Sequence, residues 1–295
     1  MHTTGHFYAK NGYKLFEQAW QIDEPRGAVI IVPGYSEHSG RYAHVAAGLN
    51  AAGYDAFGID HHGFGQSEGK RGFVNALDPL AADLAHFAQR VRQKVDVPLF
   101  ILAHSMGGVI TCRALQTEWV PVDGVVTSGV ATRIGIGIPE PVKMILRQVG
   151  KVAPTMTLPT SNGGEISRDP SVSEAFANDP HTWKGGVMLG TAVAIGNGGR
   201  ASERDAERIT QPIYFLHGTA DNIAHPAGSE YLFENVGSAD KMLKFYDGLY
   251  HEILNEPEQD EVIADIVAWL DVRVERVNEG KKSHHKSRRS TPEHA

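Results

Sequence analysis

The feature that most constrains this chain is a repeated alternation in which short, continuously apolar runs give way to amphipathic stretches and then to further apolar runs. Ala28-Val29-Ile30-Ile31-Val32 is apolar throughout and largely β-branched, as a strand buried on both faces requires. Tyr42 to Ala52 is alanine-rich and stops at Gly53, which predicts a helix, and the strand Tyr54 to Ile59 comes next. Between Pro79 and Val95, Leu80, Leu84, Phe87 and Val91 fall at helical spacing, with Asp78 placed to cap the start. Leu99 to Leu102, Met106 to Thr117 and Val122 to Thr127 continue the series as strand, helix and strand. Such alternation marks βαβ units, so the chain is expected to form an α/β fold with a mainly parallel central sheet flanked by helices. An Asn11-Gly12 turn between Phe7-Tyr8 and Tyr13 to Glu17 adds an opening hairpin.

Between about Gly129 and Arg208 the rhythm breaks into glycine, proline and short amphipathic pieces such as Val142, Ile145, Leu146 and Val149. It resumes with the strand Pro212 to Leu216, a helix near Ala227 to Asn235, the strand Met242 to Tyr246 and a helix from Pro257 to about Val277. At 295 residues, one core with an insertion is the expected organisation. The core is assigned to 1–128 and 209–279, an inserted helical cap to 129–208, and a disordered basic tail to 280–295. Beyond Gly280 the tail holds five Lys or Arg and one Glu without apolar periodicity. A solvated end is the plain reading, and attraction to anionic headgroups is the alternative.

Composition removes several classes of function. The net charge of −7, with no basic stripe in the body of the chain, argues against nucleic acid as a partner. Cys112 is the single cysteine, so no intrachain disulfide or cysteine-ligated metal is expected, and its helical position suits a small buried apolar side chain. The first residues lack the pattern of a secretory signal, and no run approaches roughly 18 consecutive apolar residues, so a cytoplasmic location is expected. His61-His62 has no second cluster at ligand spacing and reads as loop structure.

Ser105 stands between a buried strand and a helix, in Leu102-Ala103-His104-Ser105-Met106-Gly107-Gly108. A serine hydroxyl attacks only when a base takes its proton, and a sharp strand-to-helix turn lifts it clear of the sheet toward that base. Ala103 and Gly107 are small enough for such a turn. On this motif alone, a serine that merely caps an ordinary helix explains the pattern equally well. Its partners shift the balance, because Asp221 follows one strand and His251 follows another, in the chain order serine, acid, histidine. The oxyanion formed during attack needs N–H donors, and the backbone amides of Tyr35 and Met106 are the candidates.

Further stretches carry a family likeness. Pro33-Gly34-Tyr35-Ser36-Glu37-His38-Ser39-Gly40-Arg41-Tyr42, Asp60-His61-His62-Gly63-Phe64-Gly65-Gln66-Ser67-Glu68-Gly69, His104 to Gly108, and His251-Glu252-Ile253-Leu254-Asn255-Glu256 together resemble the monoacylglycerol lipase and lysophospholipase group of α/β-hydrolases. Ile166 to Asp169 and Asn178-Asp179-Pro180 extend the resemblance into the insertion. Pro33 and Ala103 stand where that group usually has histidine and glycine. The resemblance implies an apolar channel under the cap for one acyl chain, a pocket for glycerol or a similar alcohol, and no cofactor.

The expected function is therefore hydrolysis of single-chain lipid esters such as monoacylglycerols through an acyl-enzyme on Ser105. A short-chain carboxylesterase, thioesterase, lysophospholipase or peptidase stays open as an alternative chemistry. A hydrolase-like ligand-binding protein with little turnover is the alternative from another class. Trp183 to Ile195 is strongly apolar and broken by glycine, so it is expected to be a partly exposed lid. Met188 and Leu189 are its candidate substrate contacts, and the lid its contact with a membrane surface; a helix buried against the core is the alternative.

Overall fold

The computed structural model describes residues 1–134, 139–158 and 166–289. It begins with β1 (His2–Tyr8) and β2 (Lys14–Trp20), an antiparallel hairpin in which Tyr8 lies opposite Lys14. Next come β3 (Gly27–Val32), α1 (Ala43–Ala51), β4 (Tyr54–Ile59), α2 (Asp78–Lys94), β5 (Leu99–His104), α3 (Met106–Thr117) and β6 (Gly124–Ser128). An inserted stretch follows, with α4 (Glu140–Val152), β7 (Thr157–Leu158), α5 (Pro170–Asn178), β8 (Val187–Met188) and α6 (Leu189–Arg204). The chain then returns to the sheet with β9 (Ile213–Gly218), α7 (Ala227–Asn235), β10 (Lys241–Tyr246) and α8 (Gln259–Arg289).

The main sheet has eight strands in the order β1-β2-β4-β3-β5-β6-β9-β10. Every pairing from β4 to β10 is parallel, and β2 joins β4 antiparallel. All residues of β3, β4, β5, β6 and β9 are buried, because helices cover both faces. Side chains alternate across β3, so Ile30 and Val32 join Leu84, Phe87 and Val109 on one face while Val29 and Ile31 join Leu49 and Trp269 on the other. Each such buried aliphatic contributes about 1.5–3 kcal/mol relative to exposure, which is what holds a continuously apolar strand in the middle of the molecule.

The helix α2 starts one residue earlier than its cap signal suggests. The Ala81 N–H, which a capping Asp78 would take, is bonded to Leu77 O, and the Asp78 carboxylate accepts from Arg113 Nε at 2.9 Å instead. At the other end of the chain, α8 continues to Arg289, so 280–289 are helical where the sequence suggested an unstructured tail. Lys281 to Arg289 contains neither proline nor glycine, and cationic residues suit a helix C-terminus. The rest of that tail, 290–295, and two parts of the expected cap, 135–138 and 159–165, lie outside the described residues.

The apolar segment of the insertion is half-buried or exposed over 183–187, as expected, but its continuation into α6 is buried more deeply than the sequence suggested. Met188 is 7% and Leu189 1% exposed, and Ala194 and Ile195 are buried with them. The reason is layering: α6 lies between α3 and α4, and Gly150 of α4 lets Leu189 and Val193 approach its backbone closely. Having covered α6, α4 turns other apolar side chains to solvent, with Met144 61% and Ile145 62% exposed.

Candidate active site

Ser105 occupies the junction of β5 and α3 with φ 54° and ψ −119°, a left-handed conformation that costs a non-glycine residue about 1–3 kcal/mol. Its backbone is held from several sides. Ser105 N–H donates to Ser128 O at 2.9 Å, and Ser105 O accepts from Gly108, Val109 and Ala131. Gly107 is obligatory here, because a Cβ would lie 2.4 Å from both Val32 O and Pro33 O, where the start of α3 crosses the end of β3. At Ala103 the methyl group is accommodated within the buried ladder between Val32 and Thr127.

His251 reaches Ser105 from the loop between β10 and α8. Its Nδ1 lies 2.7 Å from Asp221 Oδ2, and its Nε2 lies 2.8 Å from Ser105 Oγ. A carboxylate only accepts, so Nδ1–H donates to Asp221 and the bare Nε2 accepts the Ser105 hydroxyl. Asp221 Oδ1 accepts the N–H groups of Ile223 and Ala224 at 2.8 and 2.9 Å, while Oδ2 also accepts from His217 Nε2 at 3.0 Å. His217 is in turn fixed by the Ser229 hydroxyl at its Nδ1.

The charges of this group follow from its surroundings. Burial pushes the Asp221 carboxyl up, but His251 and His217 outweigh it and hold the group well below the usual carboxylate range. Burial pushes His251 down, and the charge and hydrogen bond of Asp221, aided by Glu252 and Glu37, more than reverse this, leaving it above the ordinary histidine value. His104 packs against His251 with ring centroids 4.7 Å apart and the rings tilted by 53°, and burial, then the neighbouring His251, lowers it to about 3, so it packs as a neutral ring. His217 and His104 carried no signal at the sequence level beyond their nearness in the chain to Asp221 and Ser105.

Opposite His251, the Pro33-Gly34 turn brings the Tyr35 segment against the serine, and a Cβ on Gly34 would lie 3.0 Å from Ser105 Cβ. Gly34 N–H is taken by Glu37, whereas the N–H groups of Tyr35 and Met106 donate to no other described residue. The insertion steadies this turn, since Tyr35 OH donates to Gly186 O at 3.0 Å and Trp183 N–H donates to Ser36 O at 2.8 Å. The other sequence candidates lie elsewhere. Cys112 is buried with its thiol pushed up to about 12, His62 pairs with Asp83, and no cluster suited to a metal occurs among the described residues.

A strained serine is thus hydrogen-bonded to a histidine, itself bonded to a buried aspartate, and the sequence around them matches a known family over most of the chain. The model of the family described as serine aminopeptidase, S33, matches residues 23–258. The chain belongs to this family. It is 34% identical over 273 residues to a monoacylglycerol lipase of Mycolicibacterium smegmatis, covering 90% of this chain and 95% of that one. It is 30% identical over 289 residues to caffeoylshikimate esterase of Arabidopsis thaliana, covering 92% of this chain and 86% of the relative. Among solved structures it superposes on a monoacylglycerol lipase of Paleococcus ferrophilus with a TM-score of 0.76 and 30% identity, covering 88% and 99% of the two chains. The chain is thus a carboxylic ester hydrolase of the α/β-hydrolase fold.

Proposed function

We propose that the enzyme hydrolyses monoacylglycerols and similar single-chain lipid esters, with Ser105 as nucleophile, His251 as general base and Asp221 as the group that orients it. The hydrogen-bonded line from Asp221 Oδ2 through His251 to Ser105 Oγ is the observation that carries this reading. Ser105 Oγ attacks the ester carbonyl as its proton moves to His251 Nε2, and the Tyr35 and Met106 N–H groups receive the oxyanion. Collapse expels the alcohol, which takes the proton from His251. Water, deprotonated in turn by His251, then releases the fatty acid and restores Ser105.

The lipid class is supported by the likeness to monoacylglycerol lipases and by the outward apolar side chains of α4. In this reading, residues 129–208 are the cap over the site. Met188 and Leu189 form part of its inner apolar wall, and the exposed face of α4 meets the lipid surface. Among the described residues no helix is long and apolar enough to cross a membrane, so the contact is peripheral in this proposal. The carboxylates nearest the triad do not suit an aminopeptidase: Glu37 and Glu252 are both taken by Arg41 and are not free to hold a substrate ammonium group.

Labelling of Ser105 by a fluorophosphonate tests the nucleophile. Rates on p-nitrophenyl esters of increasing chain length, on a monoacylglycerol, on a lysophospholipid and on an amino-acid anilide test the class. A folded protein that resists the label would point to a ligand-binding role. A preference for the two-carbon ester or for the anilide would remove the lipid assignment.

A further inference from the structure

The chemistry proposed above needs the loop carrying the Tyr35 N–H and the loop carrying His251 to keep one relative geometry. They lie far apart in the chain, and among the described residues no backbone hydrogen bond joins them directly. Side chains do. Glu37 Oε1 accepts the Gly34 N–H at 2.5 Å and the Tyr42 hydroxyl at 2.7 Å, which sets the turn just before Tyr35. Its Oε2 accepts from Arg41 Nη1 at 2.8 Å. Arg41 then reaches the other loop, where Nη1 donates to Glu252 Oε1 and Nη2 to Glu252 Oε2, both at 2.8 Å. Glu252 directly follows His251, and it is tied further by Asn255 Nδ2 at its Oε2 and by its own N–H on Ile166 O. The Arg41 guanidinium also lies over the ring of Phe176 in α5, 5.1 Å from its centroid.

We propose that Arg41 is a positioning residue, which through Glu37 on one side and Glu252 on the other locks the oxyanion loop to the histidine loop. The proposal rests on the reading of Ser105 and His251 given above. A planar guanidinium suits this place because its fork fixes direction as well as distance, which a flexible ammonium does not. Stability alone explains the arrangement poorly. Buried ion pairs gain little over apolar packing of the same volume, and two carboxylates around one cation leave an uncompensated negative charge. That surplus faces His251. The charged and titratable groups around His251 are Asp221 with His217 behind it, the neutral His104 of β5, Glu37 and Arg41, and Glu252. A net negative charge there favours the imidazolium that forms as Ser105 gives up its proton.

Arg41→Lys and Glu252→Gln test the bridge on p-nitrophenyl butyrate, with melting curves to establish that each variant folds. Lysine keeps the charge but cannot hold both carboxylates in one plane. A fall in kcat of about ten- to a hundredfold is expected, with KM within about threefold of wild type and the acid limb of the pH profile unmoved. Glutamine keeps the shape and removes one negative charge beside His251, so the acid limb of kcat/KM moves to lower pH. Should Arg41→Lys fail to fold, Glu252→Gln decides alone. Variants that melt earlier but keep the kcat and acid limb of an active wild type would assign the bridge to stability and overturn the proposal. A wild type that turns over no ester would overturn both this proposal and the functional reading.

Discussion

Ser105 combines a backbone angle that few residues tolerate with a side chain whose one hydrogen bond among the described residues is to His251. The angle is imposed by hydrogen bonds from the backbone around it, so removing the hydroxyl leaves the turn in place. Ser105→Ala is accordingly expected to keep its melting temperature and to lose about a thousandfold or more in kcat, read from ester hydrolysis by the purified variant. Gly107 is the opposite case. A methyl group there would meet two carbonyl oxygens of the β3 terminus, so Gly107→Ala is expected to lower stability by about 1–3 kcal/mol in denaturant titration and to displace Ser105. At this scale the sequence was informative, because small residues around Ser105 permit this turn and the order of Ser105, Asp221 and His251 favoured it over a plain helix cap. What it could not reveal was His217 bonded to Asp221, or Arg41 joined to Glu252, since both bonds depend on side-chain direction.

Among the elements, the inserted stretch between β6 and β9 departs most from its hydropathy. An apolar, glycine-broken segment inside an insertion reads as a partly exposed lid, and 183–187 are so placed, yet Leu189 packs against α4. Leu189→Ala should therefore cost about 2–5 kcal/mol of stability, measured by urea unfolding, as a deleted core side chain does. The exposed apolar face belongs to α4, whose spacing of Val142 and Ile145 was visible in the sequence but without a sign of which side faced out. Ile145→Glu is expected to change stability by no more than about 0.5 kcal/mol. It should lower activity on a long-chain monoacylglycerol in vesicles by about three- to tenfold, because membrane binding scales with buried apolar area. Hydrolysis of p-nitrophenyl acetate in solution should be unchanged, and equal losses on the two substrates would place Ile145 in the working of the site itself.

Across the whole molecule, His251 takes its charge environment from separate parts of the chain: Asp221 after β9, Glu37 before α1, and Glu252 beside it. Burial alone would make it a weaker base, but these carboxylates prevail, so its raised value places the loss of kcat/KM on acidification at a midpoint above that of an ordinary histidine. A profile measured from about pH 5 to 9 on a chemistry-limited ester checks this, and a midpoint below the ordinary value would contradict it. The alternation of apolar runs with amphipathic helices determined the α/β architecture and the strands that carry Ser105, Asp221 and His251, because burial on both faces leaves a parallel strand little freedom to be polar. Local chemistry likewise marked Ser105, with Ala103 and Gly107 on either side, as a candidate turn. The sequence did not determine which helix of the inserted stretch lies inside and which lies outside, how far α8 continues, or which side chains join the two loops of the site. Those were decided by packing between segments far apart in the chain, where direction and distance, rather than residue type, select the partner.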